Sequence, residues 1–482
     1  MSNAHAVVKR GEVRKGHIRS PSSNAVEKLD SFRSTPLPGT YLCMVMLALA
    51  IILGGGGTVN PQTETALQVL IAFLLIPFVA STQWQRGLGK IQAPAWNLAG
   101  LVLVVPVLQL VPLPPSVWHA LPGRALEIES LKLVDAENAW MPLTMAPART
   151  FASLLALIFP ILLMLHVSRM PLRERNWLCA VIVAGGAASL ALGVFQLSHT
   201  GGLDWSLYSE FSEGFLVGFQ ANRNAEADIL LIAMLAMGVV VTVRLRDGRP
   251  HAMTWTFLMM GLIAFSVGLF MTGSRTGIGL AIPVLAILGV LLWPLLRKQT
   301  SATRWLLGGA ATAVISGSLL LQLQSTQKVI ARFSLSNEAR WDLWVDTWYA
   351  IKQVWPFGSG IGTIVPMLEA AERLDMVDPT RPVRAHNDWL EWILEAGLPG
   401  VVVIGLVALF VAVLLVRAWS AARGSKGDPI YRAQVIFAGG VLLVEGLHSI
   451  DDYPMRSMSL AALAAVAVGF LLFPAASQRG QE

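Results

Sequence analysis

Charge is what this sequence has least of. Asp, Glu, Lys and Arg make up 14% of its 482 residues, against roughly 25% in a soluble globular domain. With 54% hydrophobic residues and a mean hydropathy of +0.59, that shortage excludes a disordered chain and an ordinary soluble enzyme. Cysteine is nearly missing too. Cys43 and Cys179 each lie inside an apolar block, which excludes a disulfide framework and leaves two small core residues. The chain also lacks a Walker A loop, an H-E-x-x-H pair, paired Cys ligands and a G-x-S-x-G elbow. P-loop nucleotide chemistry, zincin proteolysis and α/β-hydrolase chemistry are thereby excluded. No metal and no cofactor is expected, because the outer His and carboxylates lack the spacing of a zinc site.

What is present is a series of long apolar blocks. A hydrocarbon core about 30 Å thick needs about 20 helical residues. Twelve segments fit: 41–59, 65–81, 97–113, 150–167, 177–197, 225–243, 252–272, 277–296, 305–321, 397–417, 434–449 and 458–474. The pattern predicts an all-α polytopic membrane protein. Residues 1–40 are read as an uncleaved basic cytoplasmic tail, 41–321 as spans one to nine and 322–396 as an outer cap of helices. Spans ten to twelve then fill 397–474, and 475–482 is a second cytoplasmic tail.

The net charge of +6 hides two opposed values. Loops assigned to the inside, with the termini, hold 23 Lys and Arg against 7 Asp and Glu; the outside holds 13 against 22. Each inside loop is basic, as in Arg169/Arg173/Arg175 and Arg244/Arg246/Arg249, so the charge follows membrane topology. Nucleic acid is not needed to explain it.

Few cations remain outside, and they mark the candidate site. Arg275 stands in Ser274-Arg275-Thr276-Gly277 between two spans. An Arg this close to hydrocarbon is either paired, snorkelling, or facing a wet cavity where its fork can clamp a phosphate. Arg223 follows Asn222 at the start of the sixth span, and the cap holds Arg332, Arg340 and Arg384. The cap's one histidine, His386, sits between Arg384 and Asn387-Asp388 and is the best general base. Trp341, Trp344, Val345, Trp348 and Ile351 share one face of a predicted helix. The six cap tryptophans read either as an interfacial belt or as a platform for sugar faces. Pro356-Phe357-Gly358-Ser359-Gly360-Ile361-Gly362 ends that helix, and a short helix from Trp389 to Ala396 enters the tenth span at Gly397. Outer-face chemistry without a nucleotide needs a donor that arrives activated and membrane-embedded, which describes a lipid diphosphate.

The ordered set Ser274-Arg275-Thr276-Gly277, Arg340…Trp344, Pro356 to Gly362, His386-Asn387, Glu395, Gly397, Gly400 and His448…Asp452-Tyr453-Pro454-Met455-Arg456 resembles the O-antigen ligase/Wzy polymerase (Wzy_C) superfamily of bacterial inner-membrane proteins. The resemblance covers about residues 220–460. It implies a GT-C-type glycosyltransferase of the bacterial inner membrane, with both termini cytoplasmic and a periplasmic active site. Such an enzyme moves a glycan from undecaprenyl diphosphate to lipid A-core, a polysaccharide or a protein, without metal or nucleotide. Carried over, Arg275 and Arg340 hold the diphosphate and His386 acts on the acceptor hydroxyl; Arg223, Arg384, Asn387 and Trp344 are the substrate-binding candidates. Two other classes compete: a transporter of a small anion such as bicarbonate, and a non-enzymatic scaffold for polysaccharide assembly. Only Glu445 is plainly intramembrane and no repeated halves are seen, which disfavours the transporter.

The assigned topology is directly testable. A cysteine at Ser130 should react with a membrane-impermeant maleimide in cells with a permeable outer membrane. One at Gly248 should react only after the inner membrane is opened.

Overall fold

The computed structural model describes residues 35–57, 62–80, 91–198, 205–209, 211–297, 338–373, 383–424 and 428–472. In chain order the helices are α1 (Pro38–Leu53), α2 (Gln62–Ala80), α3 (Ala93–Gln109), α4 (Pro115–Trp118), α5 (Ala125–Lys132), α6 (Pro147–Arg169), α7 (Leu172–Ser198) and α8 (Arg223–Arg246). They continue as α9 (His251–Met271), α10 (Arg275–Leu296), α11 (Glu338–Val354), α12 (Ile364–Ala371), α13 (Asp388–Arg423), α14 (Pro429–His448) and α15 (Met458–Leu471). A two-residue antiparallel pairing, Pro112↔Pro142 and Leu113↔Met141, is the sheet among the described residues. This is a helical multi-span membrane protein.

Seven helices, α6 to α10 with α13 and α14, are long and apolar enough to cross a membrane. Four shorter apolar helices occupy the first, second, third and twelfth predicted segments. The ninth, 305–321, lies outside the described residues, as do the tail 1–34, Arg332 and residues 473–482. Boundaries shift for local reasons. The third segment ends at Gln109 because Pro112, which lacks an N–H for the helix, leaves it for the strand pair. α10 starts at Arg275 because the Ser274 side chain caps it, accepting from the Gly277 N–H at 3.1 Å.

α8 is the central post. Its apolar window is 89% buried, against 11% for α13, as expected of a helix that is apolar on all sides. Between apolar helices in lipid, close packing rather than water exclusion supplies the attraction. Small residues allow it: a Cβ added at Gly186 would stand 2.7 Å from the Ala233 Cβ, and one at Gly277 2.6 Å from that of Ala227. At the end of the bundle away from the cap, the buried Arg175 closes the base. Its guanidinium donates to the carbonyls of Met170 (3.2 Å), Phe470 (2.9 Å) and Leu472 (2.8 Å), the last two at the end of α15.

The cap rests on a break in α13. At Gly397 the backbone turns to φ 57°, ψ −156°, so Asp388–Ala396 is a separate short helix before the span, as the sequence predicts. A break leaves carbonyls without their helical N–H partners. The glycine loop supplies them: Ser359 N–H donates to the Leu394 carbonyl at 3.0 Å and Gly360 N–H to that of Glu395 at 2.9 Å. Gln109 Nε2 adds 2.8 Å to the same Glu395 oxygen, and its Oε1 accepts from Ile361 N–H. The loop's amides therefore serve the fold.

The predicted apolar face of α11 divides. Trp341, Val345 and Trp348 are exposed, whereas Ile351 of the same face packs with Ala350 and Val354 on Ile364, Leu368 and Leu394, and Asp346 is buried. Four cap tryptophans, Trp341, Trp348, Trp355 and Trp389, are exposed in the protein, in keeping with the belt reading.

Gly397→Ala should be strongly destabilising. Its Cβ would lie 2.2 Å from the Pro356 carbonyl oxygen, in a φ/ψ region open to glycine alone. A loss of about 1–3 kcal/mol or more should appear as a lowered unfolding temperature in detergent.

Candidate active site

Three helix N-termini and one helix C-terminus converge beneath the cap. The Asn222 side chain caps α8, accepting from Asn224 N–H at 2.9 Å. Ser274 caps α10, and Asn387 caps α13, accepting from Trp389 and Leu390 N–H at 3.0 Å each. α14 ends at His448, and the turn that follows reaches all three. Asp452 accepts from Asn222 Nδ2 at 2.7 Å, Asp451 accepts from the Thr276 hydroxyl, and the Ile450 carbonyl accepts from Asn387 Nδ2 at 2.9 Å. Asp388 N–H lies 3.0 Å from the Ser449 carbonyl and 3.1 Å from that of Asp452.

The predicted site residues gather on this turn. His386 Nδ1 is 2.9 Å from Asp452 Oδ1, and Arg340 Nη1 is 2.7 Å from Asp451 Oδ1. The hydroxyl of Thr276, the neighbour of Arg275 at the start of α10, donates to the same carboxylate. His386 has φ +46°, a left-handed conformation that costs a non-glycine residue about 1–2 kcal/mol. The loop holds it there: Trp344 Nε1 donates to the Ala385 carbonyl at 3.0 Å, and the Tyr453 ring lies 5.0 Å from the imidazole. Burial alone would raise the pKa of Asp452. The hydrogen bond and charge of His386, with His448 and Arg340, outweigh it and hold the carboxyl at about 2. His386 is 32% exposed and Asp452 3%, so the imidazole has one edge on the buried carboxylate and the other toward the outside.

Arg384 and Asn387 have internal roles. Arg384 donates to the Gly57 carbonyl at 2.9 Å and to the buried Glu391 at 2.7 Å. Asn387 serves as helix cap and as donor to Ile450. Arg223 lies over the Phe215 ring at 4.4 Å. Around them runs a buried ion network in which Arg456 meets Glu395 at 2.9 Å and Glu391 at 3.2 Å. Burial works against the charge of Arg456, yet Glu391, Glu395 and Asp388 push its pKa up. Glu395 Oε1 also accepts from Gly362 N–H at 2.9 Å, tying the network to the glycine loop.

The sequence alone assigns no role to Thr276, Glu391, Asp451, Asp452 or Arg456. One signal was available: Asp388, Glu391 and Glu395 fall at i, i+3 and i+7, a row of acids on one face of a helix entering an apolar span. Among the described residues, no group of three His, Cys, Asp or Glu is placed to hold a metal ion. Cys43 and Cys179 are free and buried.

The Asp452 carboxylate has a depressed pKa, so it stabilises the fold above its ordinary value near 3.8 and that contribution disappears as pH falls through about 2. The stability difference between wild type and Asp452→Asn should therefore narrow by about 2 kcal/mol between pH 5 and 2, measured by thermal unfolding in detergent.

Residues 260–405, which carry Arg275, Arg340, Trp344, Arg384, His386 and Asn387, match the family model Wzy_C, O-Antigen ligase. No curated protein matches the chain. The family implies an enzyme that ligates or polymerises glycans, using a lipid-linked glycan donor and a polysaccharide acceptor in general terms. Residues 260–405 are thus similar to the O-antigen ligase (Wzy_C) family.

Proposed function

We propose that this protein is a metal-independent glycosyltransferase of the bacterial inner membrane that moves a glycan from undecaprenyl diphosphate to an acceptor hydroxyl at the periplasmic face. The acceptor class is lipid A-core, a growing polysaccharide or a protein. The observation that carries the reading is the Asp451-Asp452 turn. It gathers His386, Arg340 and the N-terminus of α10 with Arg275, which are widely separated in the chain.

The chemistry follows from the geometry. With Asp452 accepting from Nδ1–H, His386 Nε2 carries the lone pair. It takes the proton of the acceptor hydroxyl as the oxygen attacks the anomeric carbon. The bond from that carbon to the diphosphate oxygen breaks, and the lipid diphosphate leaves with the electron pair. Arg275 and Arg340 meet the growing negative charge with forked donors. The N-termini of α8, α10 and α13 point their positive dipole ends at the same place. Arg384 and Asn387 shape the loop, and Trp344 holds it through Ala385. The family match lends no support to a transporter.

In proteoliposomes with a lipid-diphosphate-linked glycan, His386→Ala should lower transfer by about 10²–10⁴-fold, and Arg275→Ala or Arg340→Ala by about 10²–10³-fold. Wild-type transfer by a correctly folded His386→Ala would refute the assignment. A clean deletion, followed by gel and mass analysis of lipopolysaccharide, capsule and glycoproteins, identifies the acceptor.

A further inference from the structure

The proposed chemistry leaves a buried acid–base pair unused. Asp228 on α8 and His448 on α14 are each 1% exposed at the side chain, and His448 Nδ1 lies 2.6 Å from Asp228 Oδ1. Ionisable groups at such depth are costly and are kept for a reason. Asp228 Oδ2 and His448 Nε2 have no hydrogen-bond partner among the described residues. A pair kept for stability alone would be expected to satisfy both.

The connectivity gives the pair a task. Asp228 is five residues beyond the start of α8, about 8 Å along its axis. The bond to His448 sets how far the end of α14 sits along that helix. The main-chain carbonyl of His448 then accepts from the N–H groups of Asp451 (3.0 Å) and Asp452 (2.9 Å). Asp452 returns to α8 by accepting from Asn222. The result is a closed ring: α8, Asp228, His448, Asp452, Asn222, and α8 again. His386 is attached to that ring through Asp452. Asn222, Thr276, Asn387 and Asp388 hold the turn where the helices begin, and the Asp228 bond adds an anchor deeper on α8. Held at two depths on one rigid helix, the turn has a defined position.

We infer that the Asp228–His448 pair is a positioning element for His386, fixing the Asp452 carboxylate that orients the imidazole for glycan transfer. This rests on the reading of His386 as the base. His448 touches neither donor nor acceptor; it acts through Asp452. Its loss should therefore lower kcat and leave donor KM nearly unchanged, because a base displaced by about 1 Å can lose roughly 10²-fold in rate while the bound substrate is unaffected.

The test compares His448→Asn with His448→Gln, in proteoliposomes with the lipid-diphosphate-linked donor. The Asn amide nitrogen takes the place of the imidazole Nδ1 and can donate to Asp228, whereas the Gln amide takes the place of Nε2, which has no partner there. The expected result is a kcat loss of about 10–100-fold for Gln, donor KM within twofold, and activity within threefold of wild type for Asn. Asp228→Asn, which keeps the hydrogen bond without the charge, should also stay within threefold and supplies the answer if the His448 variants fail to fold. Glu445→Gln, one turn away on α14 and outside the ring, should match wild type. Equal kcat for both His448 variants, or a collapse in Asp228→Asn with unchanged melting, overturns the inference. If His386→Ala is inactive while His448→Gln is fully active, only the positioning role fails. If His386→Ala is itself active, the underlying reading fails.

Discussion

The structure depends on what two adjacent carboxylates do at the end of α14. Asp451 and Asp452 sit where three helices begin, and helix N-termini attract negative charge. Each aspartate then recruits one cationic or protonatable partner from the cap: Arg340 to Asp451 and His386 to Asp452. The cost of burying Asp452 is offset by two hydrogen bonds, from Asn222 and His386. A single turn of chain thereby sets the spacing between His386 and Arg340. Neither His386 nor Arg340 could hold that spacing alone, since each comes from a cap element far away in sequence.

A second constraint keeps the cap in register with the membrane helices. The break at Gly397 exposes the Leu394 and Glu395 carbonyls, and the loop from Pro356 to Gly362 exists to satisfy them. Its close approach explains the glycines, because a Cβ at Gly358 would lie 2.6 Å from the Glu395 carbonyl oxygen. Glu395 continues the linkage through Arg456 to Glu391 and Arg384, and so to the loop that bears His386. The glycine loop that ends α11 is a joint between cap and span.

The contrast between what could and could not be read from the sequence has a physical cause. Spans, helix-capping residues such as Asn222, Ser274 and Asn387, and the kink at Gly397 depend on neighbours within a few positions, so composition and local pattern reveal them. The partners of carboxylates do not. Asp452 meets His386 across 66 positions and Asn222 across 230, and no local rule links them. The tryptophan stripe of α11 leaves a different question open. Periodicity finds an apolar face, but in a membrane protein that face can meet either lipid or protein, and Trp341, Val345 and Trp348 are exposed. The candidate Arg residues stand out in the sequence because cations are scarce in the loops assigned to the outside; the acids beside them are hidden among the more numerous acids there.

The two ends of the bundle show the same electrostatic rule with opposite signs. Away from the cap, α15 ends on the fully buried Arg175, which donates to the main-chain carbonyls of Met170, Ser168, Phe470 and Leu472. A helix C-terminus carries partial negative charge, and one guanidinium neutralises it. At the cap end α8, α10 and α13 begin, and their partial positive charge is met by Asp451 and Asp452. The difference lies in what remains afterwards. Arg175 is enclosed, whereas Arg340 and His386 are 20% and 32% exposed at the side chain. Their aspartates keep them in place without enclosing them. Both side chains therefore keep part of their surface open at the cap end of the bundle, and in the proposed function that surface meets the lipid diphosphate.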